Sequence, residues 1–161
     1  MKKCLFILGI LALTAGQVAE SMAQDYTLRP VGVVAKKKGE VALDILPAFQ
    51  DALSGLENFS HVIVLYWFDR NDRPEKRRIL QVHPRGDSRN PLTGVFATRS
   101  PVRPNLIGLS VCKIRSVKDH RVLVENIDAF DGTPILDLKP YIPRNDCIPD
   151  AKVPNWVGRG E

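Results

Sequence analysis

Gly94-Val95-Phe96-Ala97-Thr98-Arg99-Ser100-Pro101-Val102-Arg103-Pro104-Asn105-Leu106-Ile107-Gly108-Leu109-Ser110 is the stretch on which the reading of this chain turns. Gly94 to Thr98 is small and apolar and reads as the end of a strand. Arg99 to Asn105 then breaks the pattern. Pro101 and Pro104 each lack a backbone donor, so they cannot both sit in the interior of a sheet. They predict a stiff extended loop that holds the Arg99 and Arg103 guanidiniums and the Asn105 amide in nearly set positions. From Ile107 the chain becomes a strand again. A rigid polar loop between two strands is where binding groups collect.

Outward from this stretch, most of the chain reads as short strands. Tyr26 to Ala35 is valine-rich and predicts a strand, followed by a charged turn at Lys36-Lys37-Lys38-Gly39 and a second strand from Val41 to Leu46. Pro47 suits the start of a short helix ending near Gly55, with Ala48, Phe49, Ala52 and Leu53 as its apolar face. His61 to Phe68 is a continuous apolar run, the pattern of a strand covered on both faces. Arg70, Arg73, Arg77 and Arg78 then populate a polar loop, Ile79 to His83 is a further strand, and Arg85, Gly86, Asp87 and Arg89 mark another loop. Beyond the central stretch, Ile107 to Val117 is a long strand, Asp119-His120 a turn, Arg121 to Ile127 the return strand, and Pro134 to Tyr141 the last. From about Ile142 the chain is proline-rich and reads as a surface tail. Many short strands with near-regular turns and one short helix predict an all-β fold, a closed antiparallel barrel.

The chain has 161 residues, 44% of them hydrophobic and 25% charged, the proportions of one ordinary globular domain rather than a disordered segment. Its formal net charge of +5 suits a polyanionic partner without requiring one. At the N-terminus, Lys2 and Lys3 precede an apolar run from Leu5 to Ala15, and Ser21-Met22-Ala23 offers a small-x-small cleavage site. Residues 1–23 therefore read as a secretory signal and residues 24–161 as the mature domain. The other reading is a mis-assigned start or an uncleaved anchor; with a mis-assigned start the protein is cytoplasmic rather than periplasmic or secreted. The apolar run is too short for a comfortable membrane span. After cleavage Cys112 and Cys147 remain, either paired, which would tie the tail to the barrel, or as one buried and one exposed thiol. His61, His83 and His120 have no metal-ligand spacing, and no metal is expected.

Three blocks in order carry a family resemblance: Phe59 to Phe68, the central Gly94 to Ser110 stretch, and Asp131-Gly132-Thr133-Pro134-Ile135-Leu136-Asp137-Leu138-Lys139-Pro140-Tyr141. Together they resemble the TsaA-like family, β-barrel tRNA N6-methyladenosine methyltransferases that use S-adenosyl-L-methionine. The likeness runs from about Leu28 to Asp146. It implies a cofactor pocket built from Asp69, Arg70, Arg99, Leu109 (through its backbone), Phe130, Asp131, Gly132 and Thr133. Arg103, Asn105 and Lys139 are implied as substrate contacts. Read from chemistry alone, an arginine presents a planar fork to phosphate or carboxylate and an asparagine an amide to a base edge. The same groups could instead satisfy carbonyls of a proline-kinked loop, and Asp131-Gly132 alone is an ordinary hairpin turn.

The resemblance implies tRNA adenosine-37 as methyl acceptor and a homodimer as the assembly. The chain departs from the family pattern in three places. A long loop after the first strand, which touches the cofactor in the family, is replaced by Lys36-Lys37-Lys38-Gly39; Asp69 stands where a histidine is usual; and Asn105-Leu106-Ile107 replaces Asn-Pro-Ile. With the signal-like N-terminus, these departures keep two other readings open: an exported, non-catalytic barrel for a nucleoside-like or anionic small molecule, and an interaction module without a ligand.

Overall fold

The computed structural model describes residues 25–157. The signal-like segment 1–23 lies outside the described residues. The described residues form eight strands: β1 Gly32–Lys37, β2 Glu40–Ile45, β3 His61–Trp67, β4 Gln81–Val82, β5 Thr93–Gly94, β6 Ile107–Lys118, β7 Arg121–Val124 and β8 Pro134–Pro140. Six of them close a barrel in the order β1-β2-β7-β6-β3-β8, with every pairing antiparallel. β4 and β5 form a separate two-stranded ribbon. The expected closed all-β barrel is the fold observed.

Alternation places the core. Val62, Val64 and Tyr66 of β3 point inward beside Val34, Leu43, Val122, Val124, Cys112 and Ile135. Ile63, Leu65 and Trp67 point outward and are only half-buried. The continuous apolar run of β3 is therefore a strand with a buried inner face and a partly open outer one, not a strand covered on both sides. Its outward residues face Val111, Leu109 and Ile107 of β6 in register, which are 48%, 40% and 37% exposed.

Several expected boundaries shift, each for a local reason. The first strand begins at Gly32 rather than Tyr26 and runs on to Lys37, so Lys36 is a strand residue and the turn is Lys38-Gly39, both at positive φ. Pro47–Leu53 is a 3₁₀ helix, and of its expected apolar face only Leu53 is buried. Three residues per turn do not keep an α-type stripe on one side. Two single-turn α-helices were not anticipated: α1 Pro74–Arg77 and α2 Pro143–Asp146, each opened by a proline at its first position. Gly94 to Thr98 is a strand only through Gly94, then a 3₁₀ turn at Val95–Ala97. Ile79 to His83 shrinks to Gln81–Val82, and the return strand stops at Val124 rather than Ile127.

Both described cysteines are free thiols, Cys112 buried and Cys147 exposed. Burial pushes the Cys112 thiol up to about 11. A thiolate-selective alkylating reagent at neutral pH should therefore modify Cys147 in the native protein and reach Cys112 only on unfolding; prompt native labelling of Cys112, read by peptide mass, would contradict this packing. Gly108 offers a second check. Its α-carbon lies under the Tyr66 ring, where any β-carbon would collide with that ring. Gly108→Ala should cost about 1–3 kcal/mol in urea unfolding, the usual penalty of overpacking.

Candidate functional site

The site begins with a mismatch in strand length. β6 spans Ile107–Lys118, but β7 pairs with it only from Ile114 to Lys118. The first half of β6 therefore has β3 on one side and no strand on the other. Its hydrogen-bond parity is fixed at both ends. Leu106 O accepts from Phe68 N at 2.7 Å and Ile114 N donates to Ser60 O at 2.8 Å, both toward β3, whereas Lys113 O accepts from Glu125 N at 3.0 Å on the opposite side. The peptide groups of Leu109 and Val111 consequently face away from β3, into the gap that β7 leaves.

A cavity of about 700 Å³ occupies this gap. Trp67, Phe68, Asp69, Arg70 and Asn71 enter from the end of β3; Arg99, Pro101 and Arg103 from the proline loop; Asn126 to Phe130 and Thr133 from the segment after β7; and Lys36 from β1. The Arg70 guanidinium stacks over the Phe130 ring, 3.8 Å from its centroid, and so joins two of these walls. Lys36, Arg70, Arg99 and Arg103 outnumber the lining carboxylates Asp69 and Asp128.

The frame behind the cavity is hydrogen-bonded. Tyr66, 3% exposed, donates its hydroxyl to Asp128 O at 2.6 Å, with Ser110 Oγ at 3.4 Å, and stacks edge-on against Phe68. Burial raises its phenol above the ordinary value. Lys36 Nζ donates to Ile127 O at 2.9 Å, pinning the segment after β7 to β1. The proline loop has its own brace. Arg77 Nη1 donates to Pro104 O at 2.9 Å, Arg77 also pairs with Asp72, and Asp72 accepts from Trp67 Nε1 at 3.0 Å. Those bonds from Trp67 and then Arg77 hold the Asp72 carboxyl below its usual range.

Of the residues expected from sequence, Asp69, Arg70, Arg99, Leu109, Phe130, Thr133 and Arg103 converge on the cavity. Asp131 and Gly132 do not line it. Asp131 Oδ1 accepts from Lys36 N at 2.7 Å and Gly132 N donates to Val34 O at 2.8 Å, so this turn, with Gly132 at φ 81°, clamps the cavity wall to β1. Asn105 lies outside, its carbonyl accepting from Ile107 N. Lys139 also lies outside; it sits on β8 opposite Ile63 and pairs with Asp137 at 2.8 Å. Sequence reasoning missed Lys36, Asp128 and Tyr66 as site residues. Lys36 was assigned to a solvated turn, and only the pairing of Lys36 with Val41 across β1 and β2 places it in the barrel wall. Among the described residues no group of three or more His, Cys, Asp or Glu could hold a metal.

A second cavity, of about 1180 Å³, abuts the first and shares Arg99, Pro101 and Asp128 with it. It is lined further by His83, Arg85, Phe96 and, from the tail, Trp156 and Val157.

The Tyr66–Asp128 bond makes a direct prediction. Tyr66→Phe removes one hydroxyl while keeping the ring over Gly108, and should cost about 1 kcal/mol of stability and speed amide exchange across residues 126–130. Unchanged exchange in that segment would mean that Lys36 alone holds it.

Comparison with known proteins matches this architecture. The family model described as tRNA-methyltransferase O N-terminal domain matches residues 19–147. The chain is 48% identical over 122 residues to the "Probable S-adenosyl-L-methionine-binding protein" of Methanocaldococcus jannaschii, covering 76% of this chain and 97% of that protein. It is 39% identical to the "S-adenosyl-L-methionine-binding protein" of Archaeoglobus fulgidus, covering 75% and 93%. Among solved structures it is similar to TrmO from Pseudomonas aeruginosa, with a TM-score of 0.62 and 32% identity over 80% of this chain but only 62% of that one. On these grounds the chain belongs to the tRNA-methyltransferase O N-terminal domain family, the group its TsaA-like blocks indicate.

Proposed function

We propose that the first cavity binds S-adenosyl-L-methionine and that the protein transfers a methyl group to N6 of adenosine-37 in tRNA. One observation carries the donor half of this reading: the unpaired edge of β6, where the Leu109 and Val111 peptide groups face a cavity of about 700 Å³. That volume falls within the ~300–1,000 Å³ of small-molecule sites. Free strand-edge donors and acceptors suit an adenine edge. Phe130 offers an aromatic face, and Arg99 or Arg103 a fork for the carboxylate of the methionine part. The cofactor fits this donor set, and when bound it supplies an electrophilic methyl group on a sulfonium.

The remaining work falls to the chain. Methyl transfer is an in-line displacement whose barrier falls mainly through alignment, so the walls must hold their spacing. The Tyr66, Lys36 and Arg77 bonds provide that stiffness. Adenine N6 loses a proton as it is alkylated, and Asp128, a residue that lines both cavities, is the candidate general base. Arg70, Arg73 and Arg78 lie exposed on the segment that follows β3 and suit a phosphate backbone. We also infer a homodimer through the outer face of β3 and β6. Trp67, Ile107, Leu109 and Val111 belong both to that apolar face and to the cavity lining, so a second copy seated there would cover face and cavity together.

A second reading, an exported binding barrel without catalysis, draws on the tight Lys38-Gly39 turn, which leaves the cavity without the family's additional loop. The two readings part at the bench. Calorimetry of S-adenosyl-L-methionine against residues 24–161 should give micromolar binding, weakened at least tenfold in Arg99→Ala; no binding at millimolar ligand would sink the donor reading. Asp128→Asn should retain that affinity and lose methyl transfer to tRNA by about 100-fold or more, the scale of general-base assistance. If wild type binds the donor yet modifies no tRNA, the binding-barrel reading stands. For the assembly, Val111→Asp should convert a sedimenting dimer to a monomer, and a wild-type monomer at high micromolar concentration would remove the dimer.

A further inference from the structure

We propose that the second cavity is the acceptor chamber, and that Trp156, on the tail beyond the family match, is its stacking wall for a nucleobase carrying a phosphate. This rests on the methyl-donor reading of the first cavity. A methyl acceptor must lie against the donor, and this chamber abuts the donor cavity at Arg99, Pro101 and Asp128. Its lining is chemically specific. Phe96 lines the chamber and is 80% exposed, so its ring is open to a ligand there. Trp156 contributes a second aromatic side chain, and His83, Arg85 and Arg99 contribute groups that can bind an anion. Aromatic rings interleaved with cations are the surface that holds unstacked bases and their phosphates.

The tail is held in place rather than merely adjacent. Arg85 Nη2 donates to Val157 O at 2.9 Å, and Val157 N bonds back to Pro154 O at 3.0 Å, which forms the turn that presents Trp156. The family match ends at residue 147, so this wall is supplied by a segment outside the shared domain. Trp156 would thereby set acceptor preference in this chain, with Arg85 as the residue that positions it.

Fluorescence tests this directly. The chain has two tryptophans, so the part of the emission lost in Trp156→Phe reports Trp156 while Trp67 keeps its place in the donor cavity. Adenosine 5′-monophosphate, titrated with the donor cavity filled by saturating S-adenosylhomocysteine, should quench Trp156 emission saturably. In calorimetry on the otherwise unchanged chain, Trp156→Ala should weaken adenosine 5′-monophosphate about tenfold and leave S-adenosylhomocysteine affinity as it was. Adenosine without its phosphate should bind more weakly than the monophosphate. Competition between the nucleotide and S-adenosylhomocysteine would place the nucleotide in the donor cavity and overturn the proposal. So would unchanged or tighter nucleotide binding in Trp156→Ala, which would make the tail a bystander or a plug. Failure of S-adenosylhomocysteine to bind at all would show separately, as failure of the donor reading.

Discussion

The unpaired first half of β6 is the constraint on which the rest of this molecule depends. A barrel normally satisfies every strand edge, because exposed peptide groups invite pairing with other chains. Here β7 stops at Val124 and the chain turns away at Glu125, so Leu109 and Val111 have no strand on the side away from β3. The gap is not left to water alone. Asn126 to Phe130 cross it at a distance, held off by the Tyr66 hydroxyl from one side and the Lys36 ammonium from the other. Two hydrogen bonds to consecutive carbonyls therefore keep a sheet edge open that would otherwise close. The Tyr66 ring can reach that position only because residue 108 has no side chain.

Stiffness on the other wall has a different origin. The proline loop has few backbone bonds of its own, and prolines restrict its conformations without anchoring it. The anchor is Arg77, whose guanidinium reaches Pro104 O while pairing with Asp72 and standing 5.2 Å from the centre of the Trp67 ring. Single exposed ion pairs contribute little. This one is part of a group of three side chains and a loop carbonyl, where the value lies in geometry more than in net energy. It ties the proline loop to the end of β3, so that Arg99, Arg103 and Arg70 keep a common frame.

Much of this was legible in the sequence, and the misses have physical reasons. Proline spacing at Pro101 and Pro104 and strand alternation from Ile107 were enough for the loop and for β6, because both signals are local. The barrel followed from many short strands and turns. Asp131 and Gly132 lie beside the first cavity rather than in its lining: a turn that clamps a wall and a turn that forms one share the same residues, and only the bond from Lys36 N separates them. Lys139 lies outside the first cavity for a related reason. It stands in a family-like block, yet its strand register puts it on the outer face of β8 opposite Ile63. Lys36 escaped notice because a lysine run reads as a solvated turn, and a shift of two residues in the end of β1 decides whether it faces solvent or the cavity.

The tight β1–β2 hairpin and the long tail are best considered together. The hairpin turns at Lys38-Gly39, so the first cavity has β1 itself, through Lys36, as its wall on that side. On the far side of Arg99 the tail adds Trp156 and Val157 to the second cavity. One wall is thus a single strand, while another is built from residues beyond the family match. The first cavity has a free strand edge, an aromatic face at Phe130 and fixed guanidiniums. Beside it, the second cavity takes part of its lining from the tail. A barrel whose core strands, Tyr66 brace and proline loop are all fixed by packing has little freedom to vary there. Its hairpin and its tail are the two places where the partner of the site can change without disturbing the fold.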